Sequence, residues 1–387
     1  MKVGYATLYD DGELVISKNH TLLKRKIIKD YGEFEDTNVP WKKEVSKIKK
    51  VQILDQVKPN CMNAWFEYCL NLKTLIDFEH LDVSNSTDFS RMFAFCESLQ
   101  NINGLENWNV SNGIYFSSMF KSCTSLQDIK ALKDWNVSNG TDFPSMFYNC
   151  ESLQDLNRLQ NWDVSNGTDF SYMFYHCESL QNINGLENWN VSNGADFSDM
   201  FCHCESLQDL NDLQNWNVSN GADFSGMFDN CKSLQDLNGL QNWNVSNGTD
   251  FSYIFFNCKS LKNLNELQNW DVSNGTDFSR MFYNCVSLQD LKGLKNLDVS
   301  NGTDFSWMFY NCKSLKNINE LKNWNVSDGT DFLRMFSYCE SLQEISLTNT
   351  FDRLRNEMFY DCNPNLKIHW KKHTYTYEDL ILYKEIC

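Results

Sequence analysis

The sequence predicts an α/β repeat solenoid of about twelve 27-residue units with parallel inner strands and short helices, capped at both ends. Cysteine recurs at 69, 96, 123, 150, 177, 204, 231, 258, 285, 312 and 339, a constant interval of 27, and Cys362 follows after 23. A nearly fixed phrase surrounds each one; residues 277–303 read DFSRMFYNCVSLQDLKGLKNLDVSNGT. Aromatic residues make up 14% of the chain and proline only 4 of 387 residues, so apolar surface is ample and disorder is disfavoured. Self-similarity at a period of this size is the mark of stacked copies, because one copy alone cannot bury its own apolar face.

The chain opens with a cap, assigned to residues 1–55. Residues 3–18 alternate around Asp10-Asp11-Gly12, a hairpin turn, and Pro40-Trp41 precedes a lead-in strand at Val51-Gln52-Ile53-Leu54. The repeats occupy 56–366. Phe278, Met281, Phe282, Cys285 and Leu288 are spaced i, i+3, i+4, i+7, i+10, which predicts a two-turn helix capped by Thr276 or Asp277. Ser287 to Leu291 is expected to form a brief strand paired in parallel with its neighbours, and Trp270-Asp271-Val272 a second extended piece before the Ser-Asn-Gly turn. The columns Met92/Met119/Met146 and Trp108/Trp135/Trp162 read as core rungs. Residues 367–387, with the amphipathic stretch from Tyr377 to Ile386, form the closing cap.

Charge narrows the partners. Residues 1–50 hold 11 Lys/Arg and 8 Asp/Glu, a balance of +3, so the remainder carries −20 of the net −17. An acidic body repels phosphodiester backbones, and nucleic acid is not expected as a partner. Lys24-Arg25-Lys26 reads as solvated surface. No apolar run reaches the ~20 residues needed to span a bilayer, and the opening MKVGYATLYDDGELVISKN has no apolar leader core. The expected location is therefore intracellular and cytoplasmic, with association to a virion as the alternative.

The phrase MFxxCxSL followed by a leucine-spaced segment resembles the BspA-like leucine-rich repeats. SNxTDxSxMF is similar to the sub-type first noted in mycoplasma proteins as a domain of unknown function, and LYDDGELVIS with VQILDQVKPN resembles the leader before such repeats. The likeness runs from about residue 5 to 366. It implies a right-handed leucine-rich-repeat-like solenoid with a binding role, such as adhesion in bacteria and protists.

Candidate chemistry is sparse. Twelve of the fifteen cysteines share one register, where cysteine serves as a small hydrophobe and in-register neighbours are badly placed for disulfides. Cys202-His203-Cys204 lacks zinc-site spacing, and Cys202 falls at a variable position expected to be exposed. His176 and His203 occupy a position that elsewhere holds Asn, a polar turn site. The aligned Asp142, Asp169, Asp196, Asp223, Asp250, Asp277, Asp304 and Asp331 read as helix caps. No phosphate loop, nucleophile elbow or His-Glu metal motif occurs. The Asn-x-Ser/Thr triplets are by-products of the repeat. Neither a cofactor nor catalysis is expected.

Two surfaces remain for binding. The residues flanking the inner leucine give an acidic and amide strip, Asn101, Asp128, Asp155, Asp209, Asp236 and Asp290, suited to a basic protein. The residue after Met-Phe varies while the rest of the copy stays fixed, and there the chain places Tyr148, Tyr175, Phe256, Tyr283 and Tyr310. The residue after Ser varies too, Trp307 among them. Exposed aromatics of this kind anchor partners. The expected function is a protein-interaction scaffold; the alternatives are a structural component of a virion or other assembly, and an adhesin exported without a recognisable signal. Oligomeric state is not encoded legibly.

Overall fold

A computed structural model describes residues 2–347, 350–351, 354–383 and 385–386. The chain divides into two compact units, the first formed by residues 1–180 and 184–191, the second by 181–183 and 192–387.

The first unit begins with a five-stranded sheet. Strands β1 (Lys2–Tyr9) and β2 (Glu13–Ser17) form the expected antiparallel hairpin, turned at Gly12 with φ +85°. Strand β3 (Ile27–Glu35) pairs on the other side of β1. The lead-in strand is β4 (Lys50–Ile53), which runs parallel to β2 and to β5 (Thr74–Ile76). The sheet therefore continues into the first copy of the repeat. Trp41, held by a short 3-10 turn at Pro40–Lys43, is fully buried and donates its indole N–H to the Trp65 carbonyl at 2.6 Å. Phe34, Trp41, Trp65 and Phe66 close this end with edge and stacked ring contacts at 5.1–6.2 Å.

Within the copies, the segment expected to be helical is not a helix. In the copy beginning at Phe278, the amides of Phe278, Arg280, Phe282 and Asn284 donate to Asp304, Ser306, Met308 and Tyr310 of the following copy at 2.7–2.9 Å. The amides between them turn back on their own chain: Met281 to Phe278, Tyr283 to Arg280 and Cys285 to Phe282, at 3.0–3.3 Å. Backbone donors thus alternate between a tight turn and the neighbouring copy. Two residues per copy must enter the left-handed region for this to work; Arg280 has φ +56° and Asn284 φ +59°. An α-helix would spend every amide inside its own copy. The turn ladder ties consecutive copies together, and identical copies supply every partner it needs.

The parallel pairing also lies elsewhere than expected. Single bridges join Asp196, Asp223, Asp250, Asp277, Asp304 and Asp331 in the second unit, and Asp88, Tyr115, Asp142 and Asp169 in the first. The Ser-Leu-Gln-Asp-Leu segment makes a bridge at Asn101 and Asp128 and otherwise passes into 3-10 turns, such as Lys292–Leu294 and Asn319–Asn323. The segment still reaches the preceding copy through single amides, Lys262 donating to Gln235 at 3.2 Å and Gln289 to Lys262 at 3.1 Å.

The core rungs are as expected. Phe278, Met281, Phe282, Cys285, Leu288, Leu291 and Leu294 are all buried, as are nearly all their counterparts, Phe332 and Leu75 being partly exposed. Like stacks on like: Phe143 on Phe170 at 5.8 Å, Phe228 on Phe255 at 5.7 Å, Trp135 on Trp162 at 6.5 Å, Trp243 on Trp270 at 6.3 Å. A buried indole N–H needs an acceptor, and for Trp135, Trp162, Trp189, Trp243, Trp270 and Trp324 the leucine carbonyl 30 residues earlier supplies it, Trp270 to Leu240 and Trp324 to Leu294 at 3.0 Å. The cysteine thiols act likewise, Cys285 donating to Phe255 and Cys312 to Phe282 at 3.2 Å.

The second unit ends on β6 (Glu344–Ser346), β7 (Leu354–Arg355), β8 (Lys367–Trp370), β9 (His373–Thr376), a single α-helix α1 (Tyr377–Tyr383) and β10 (Glu385–Ile386). Strand β8 continues β6 in parallel, pairs with β9 antiparallel, and β10 pairs with β7. Among the described residues no helix is long and apolar enough to cross a membrane.

Candidate functional site

The two left-handed residues in each copy decide which side chains leave the core. The first lies three residues after the bridging Asp and holds Tyr172, Asp199, Gly226, Tyr253, Arg280, Trp307 and Arg334, with φ between +53° and +61°. The second holds Phe95, Ser122, Asn149, His176, His203, Asn230, Asn257, Asn284 and Asn311, at +57° to +61°. Asparagine tolerates this region better than most residues, which explains its frequency there. The position between them, one before the second, completes a surface of three columns.

In the second unit these columns form a ribbon of rings and guanidinium groups. Phe256 stacks on Tyr283 at 4.5 Å and Tyr283 on Tyr310 at 4.6 Å, nearly parallel at 7° and 11°. Tyr310 meets Tyr338 edge-on at 5.1 Å, and Tyr338 meets Tyr360 at 5.8 Å. Alongside, aromatic and cationic residues alternate. Arg280 lies 5.1 Å from the Tyr253 ring and 5.8 Å from Trp307; Arg334 lies 4.9 Å from Trp307 and 5.6 Å from Tyr360. Trp307 also touches Tyr310 at 5.0 Å and Tyr283 at 6.1 Å, which joins the columns. Burial raises the Tyr283 hydroxyl above its ordinary pKa, aided by Tyr310. Four expected residues, Phe256, Tyr283, Trp307 and Tyr310, therefore meet in one surface. The other two, Tyr148 and Tyr175, stack at 4.6 Å in the first unit with Tyr172 beside them and Lys121 4.2 Å over Tyr148.

The acidic strip is engaged by its own backbone. Asp128, Asp155, Asp209, Asp236 and Asp290 each accept, through Oδ1, the amide two residues on at 2.9–3.3 Å, and Asn101 does so at 3.4 Å. Asp128 and Asp290 also pair with Lys130 and Lys292 at 3.2 and 3.0 Å. These side chains hold local turns. The Asp277 column, expected to cap helices, does the same for Ser279 at 2.8 Å.

Sequence reasoning missed the pairing of Arg280 and Arg334 with the rings. Its signal was the order Tyr253, Arg280, Trp307, Arg334 at 27-residue steps. It also misplaced Cys202, which is buried at 2% exposure. Cys202 sits with Asp199 and Asp229, and Asp229 has its pKa raised to about 7, first by burial and then by the Asp199 charge. Burial likewise drives the ladder thiols well above their ordinary pKa, Cys312 and Cys339 among them. From Asn230 a chain of side-chain amides runs outward, Asn257 donating to Asn230, Asn284 to Asn257 at 2.5 Å and Asn311 to Asn284 at 2.6 Å. Among the described residues no group of three or more His, Cys, Asp or Glu is placed to hold a metal ion.

No curated protein matches the chain. Among solved structures, it is similar to a leucine-rich repeat protein from Eubacterium ventriosum, at 18% identity over 82% of this chain and 88% of that one, TM-score 0.40. A leucine-rich cell surface protein from Faecalibacterium prausnitzii matches at 15% identity over 95% and 93%, TM-score 0.38. A leucine-rich repeat protein from Bacteroides ovatus matches at 15% over 96% and 98%, TM-score 0.39. The expected kinship with mycoplasma-type, BspA-like repeats holds, because three successive family matches cover residues 41–158, 154–265 and 249–370. The chain thus belongs to the DUF285 family, described as Mycoplasma protein of unknown function.

Proposed function

We propose that the chain is a non-enzymatic protein-interaction scaffold, and that its partner docks on the ring and guanidinium ribbon of the second unit. One observation carries this reading. Within closely similar copies, two of the varied positions lie on the surface that the left-handed turns shape, and in the second unit they bring together Phe256, Tyr283, Trp307 and Tyr310. Tyrosine, tryptophan and arginine are the side chains from which interface hot spots are built. The Asp/Asn strip ranks second as a surface, for a basic partner, since each carboxylate already spends an oxygen on its own turn.

The test is a pull-down from the native cell with the full chain and with the Tyr283→Ala, Tyr310→Ala variant. Loss of the partner from the variant, with the thermal transition retained, is the expected result. An unchanged partner set would overturn the ribbon as the docking surface. Enrichment of the chain in purified particles would favour a structural role in an assembly, and labelling on intact cells would favour adhesion.

A further inference from the structure

Residues 51–387 carry −20, so a cation there has carboxylates within reach, and Lys232 takes Glu205 and Lys292 takes Asp290. Among the described residues neither Arg280 nor Arg334 forms an ion pair. Both are held by ring faces instead, Arg280 between Tyr253 and Trp307, Arg334 between Trp307 and Tyr360. Both remain partly exposed.

A guanidinium flanked by two rings is weakly hydrated and still presents a planar N–H fork to a ligand. That fork matches a carboxylate in a bidentate pair. Stacking also fixes the side chain beforehand, so little rotamer freedom remains to be lost on binding. The neighbouring stack of Phe256, Tyr283 and Tyr310 uses its ring faces on one another and offers edges and hydroxyls. Such a wall suits a peptide and gives a nucleobase no free face to lie on.

We propose that Arg280 and Arg334 form a two-point receptor for an extended acidic segment of a partner protein, its carboxylates one on each guanidinium. The two arginines stand two copies apart, and copies joined by parallel backbone pairing are spaced ~4.8 Å, so the forks are about 10 Å apart. In a polyproline II segment, side chains three residues apart share a face and are separated by about 9.3 Å. The favoured motif is therefore an acid, two other residues and a second acid. This site rests on the scaffold reading and gives its partner a chemistry.

Fluorescence anisotropy of a labelled peptide of three Glu-Pro-Pro triplets, titrated with the full chain at about 0.15 M salt, where charges more than about 8 Å away are screened, tests it. Binding is expected, with affinity falling at least about tenfold for the peptide with Gln in place of Glu and for the Arg280→Gln, Arg334→Gln variant. The Arg280→Lys, Arg334→Lys variant, which keeps charge and loses the fork, should fall between. Two results overturn the proposal: no binding at millimolar peptide, or equal affinity for the wild-type chain and the Gln variant. Stronger binding of a single-stranded oligonucleotide than of the peptide would overturn it too, in favour of a phosphate ligand. If the peptide fails while the tyrosine variant still loses its native partner, the scaffold reading survives without the acidic motif.

Discussion

At the scale of single residues, most polar side chains serve the backbone that carries them. Asp229 is an exception. It accepts the Asn230 side-chain amide at 2.6 Å and lies against Cys202 and Asp199 in a place where five other copies put a ring, from Tyr148 to Tyr310. Its pKa is raised to about 7 from 3.8, so the folded state holds this proton more tightly than the unfolded chain does. The stabilisation is fully present below about pH 4 and is lost as pH rises to about 7. Asp229→Asn removes this dependence. The variant should match wild type near pH 4, where both carry a neutral side chain, and exceed it increasingly up to about pH 7. Urea midpoints measured across that range give the difference, and parallel curves for the two proteins would contradict it.

At the scale of the element, the turn ladder explains both what was legible in the sequence and what was not. The cysteine interval fixed the register of every copy, so the Trp, Met, Phe and Leu rungs followed without ambiguity, as did the hairpin at Asp10-Asp11-Gly12. The helix did not survive, because apolar residues at i, i+3, i+4 and i+7 mark two structures equally. One is an α-helix, and the other is a run of tight turns that reverses every four residues. The deciding signal was Asn at 149, 230, 257, 284 and 311 with Gly226 in the companion column, residue types suited to positive φ. The tyrosines of the site were legible as variation within fixed copies. The arginine pairing was not, because it depends on contact between residues 27 apart. Packing in the element is equally strict at Gly275, where an added Cβ would stand 2.5 Å from the Phe278 ring and 3.0 Å from the Val272 carbonyl. Gly275→Ala forces a buried Phe to move and should cost about 1–3 kcal/mol. Denaturant unfolding measures it, and a change below about 0.5 kcal/mol would show that the ring relaxes freely.

At the scale of the whole molecule, the repeat makes length a variable and sequence register a constant. Residues 277–303 constitute one copy, and removing them joins Thr276 to Asp304, the same pair that stands at 249–250 and 330–331 in the copies on either side. Amides of Phe251, Tyr253, Phe255 and Asn257 now donate to Asp277, Ser279, Met281 and Tyr283. After the deletion Asp304, Ser306, Met308 and Tyr310 stand in the same places and can accept them. Stability in stacked repeats is a sum of per-copy and nearest-neighbour contributions, so the loss should be that of one copy. The shortened chain is expected to fold cooperatively with a modestly lower melting temperature. Removal of only residues 277–290 breaks the register, opposes rings to turns and should abolish the transition. The same 27-residue deletion brings Tyr253 next to Trp307 and leaves Arg334 without Arg280. A folded chain that has lost a two-point contact and nothing else is the outcome to look for. Circular dichroism reports the first property and peptide anisotropy the second, so folding and recognition are separated in one molecule. A deletion that unfolds the chain would show that the copies, alike in sequence, are not interchangeable in the fold.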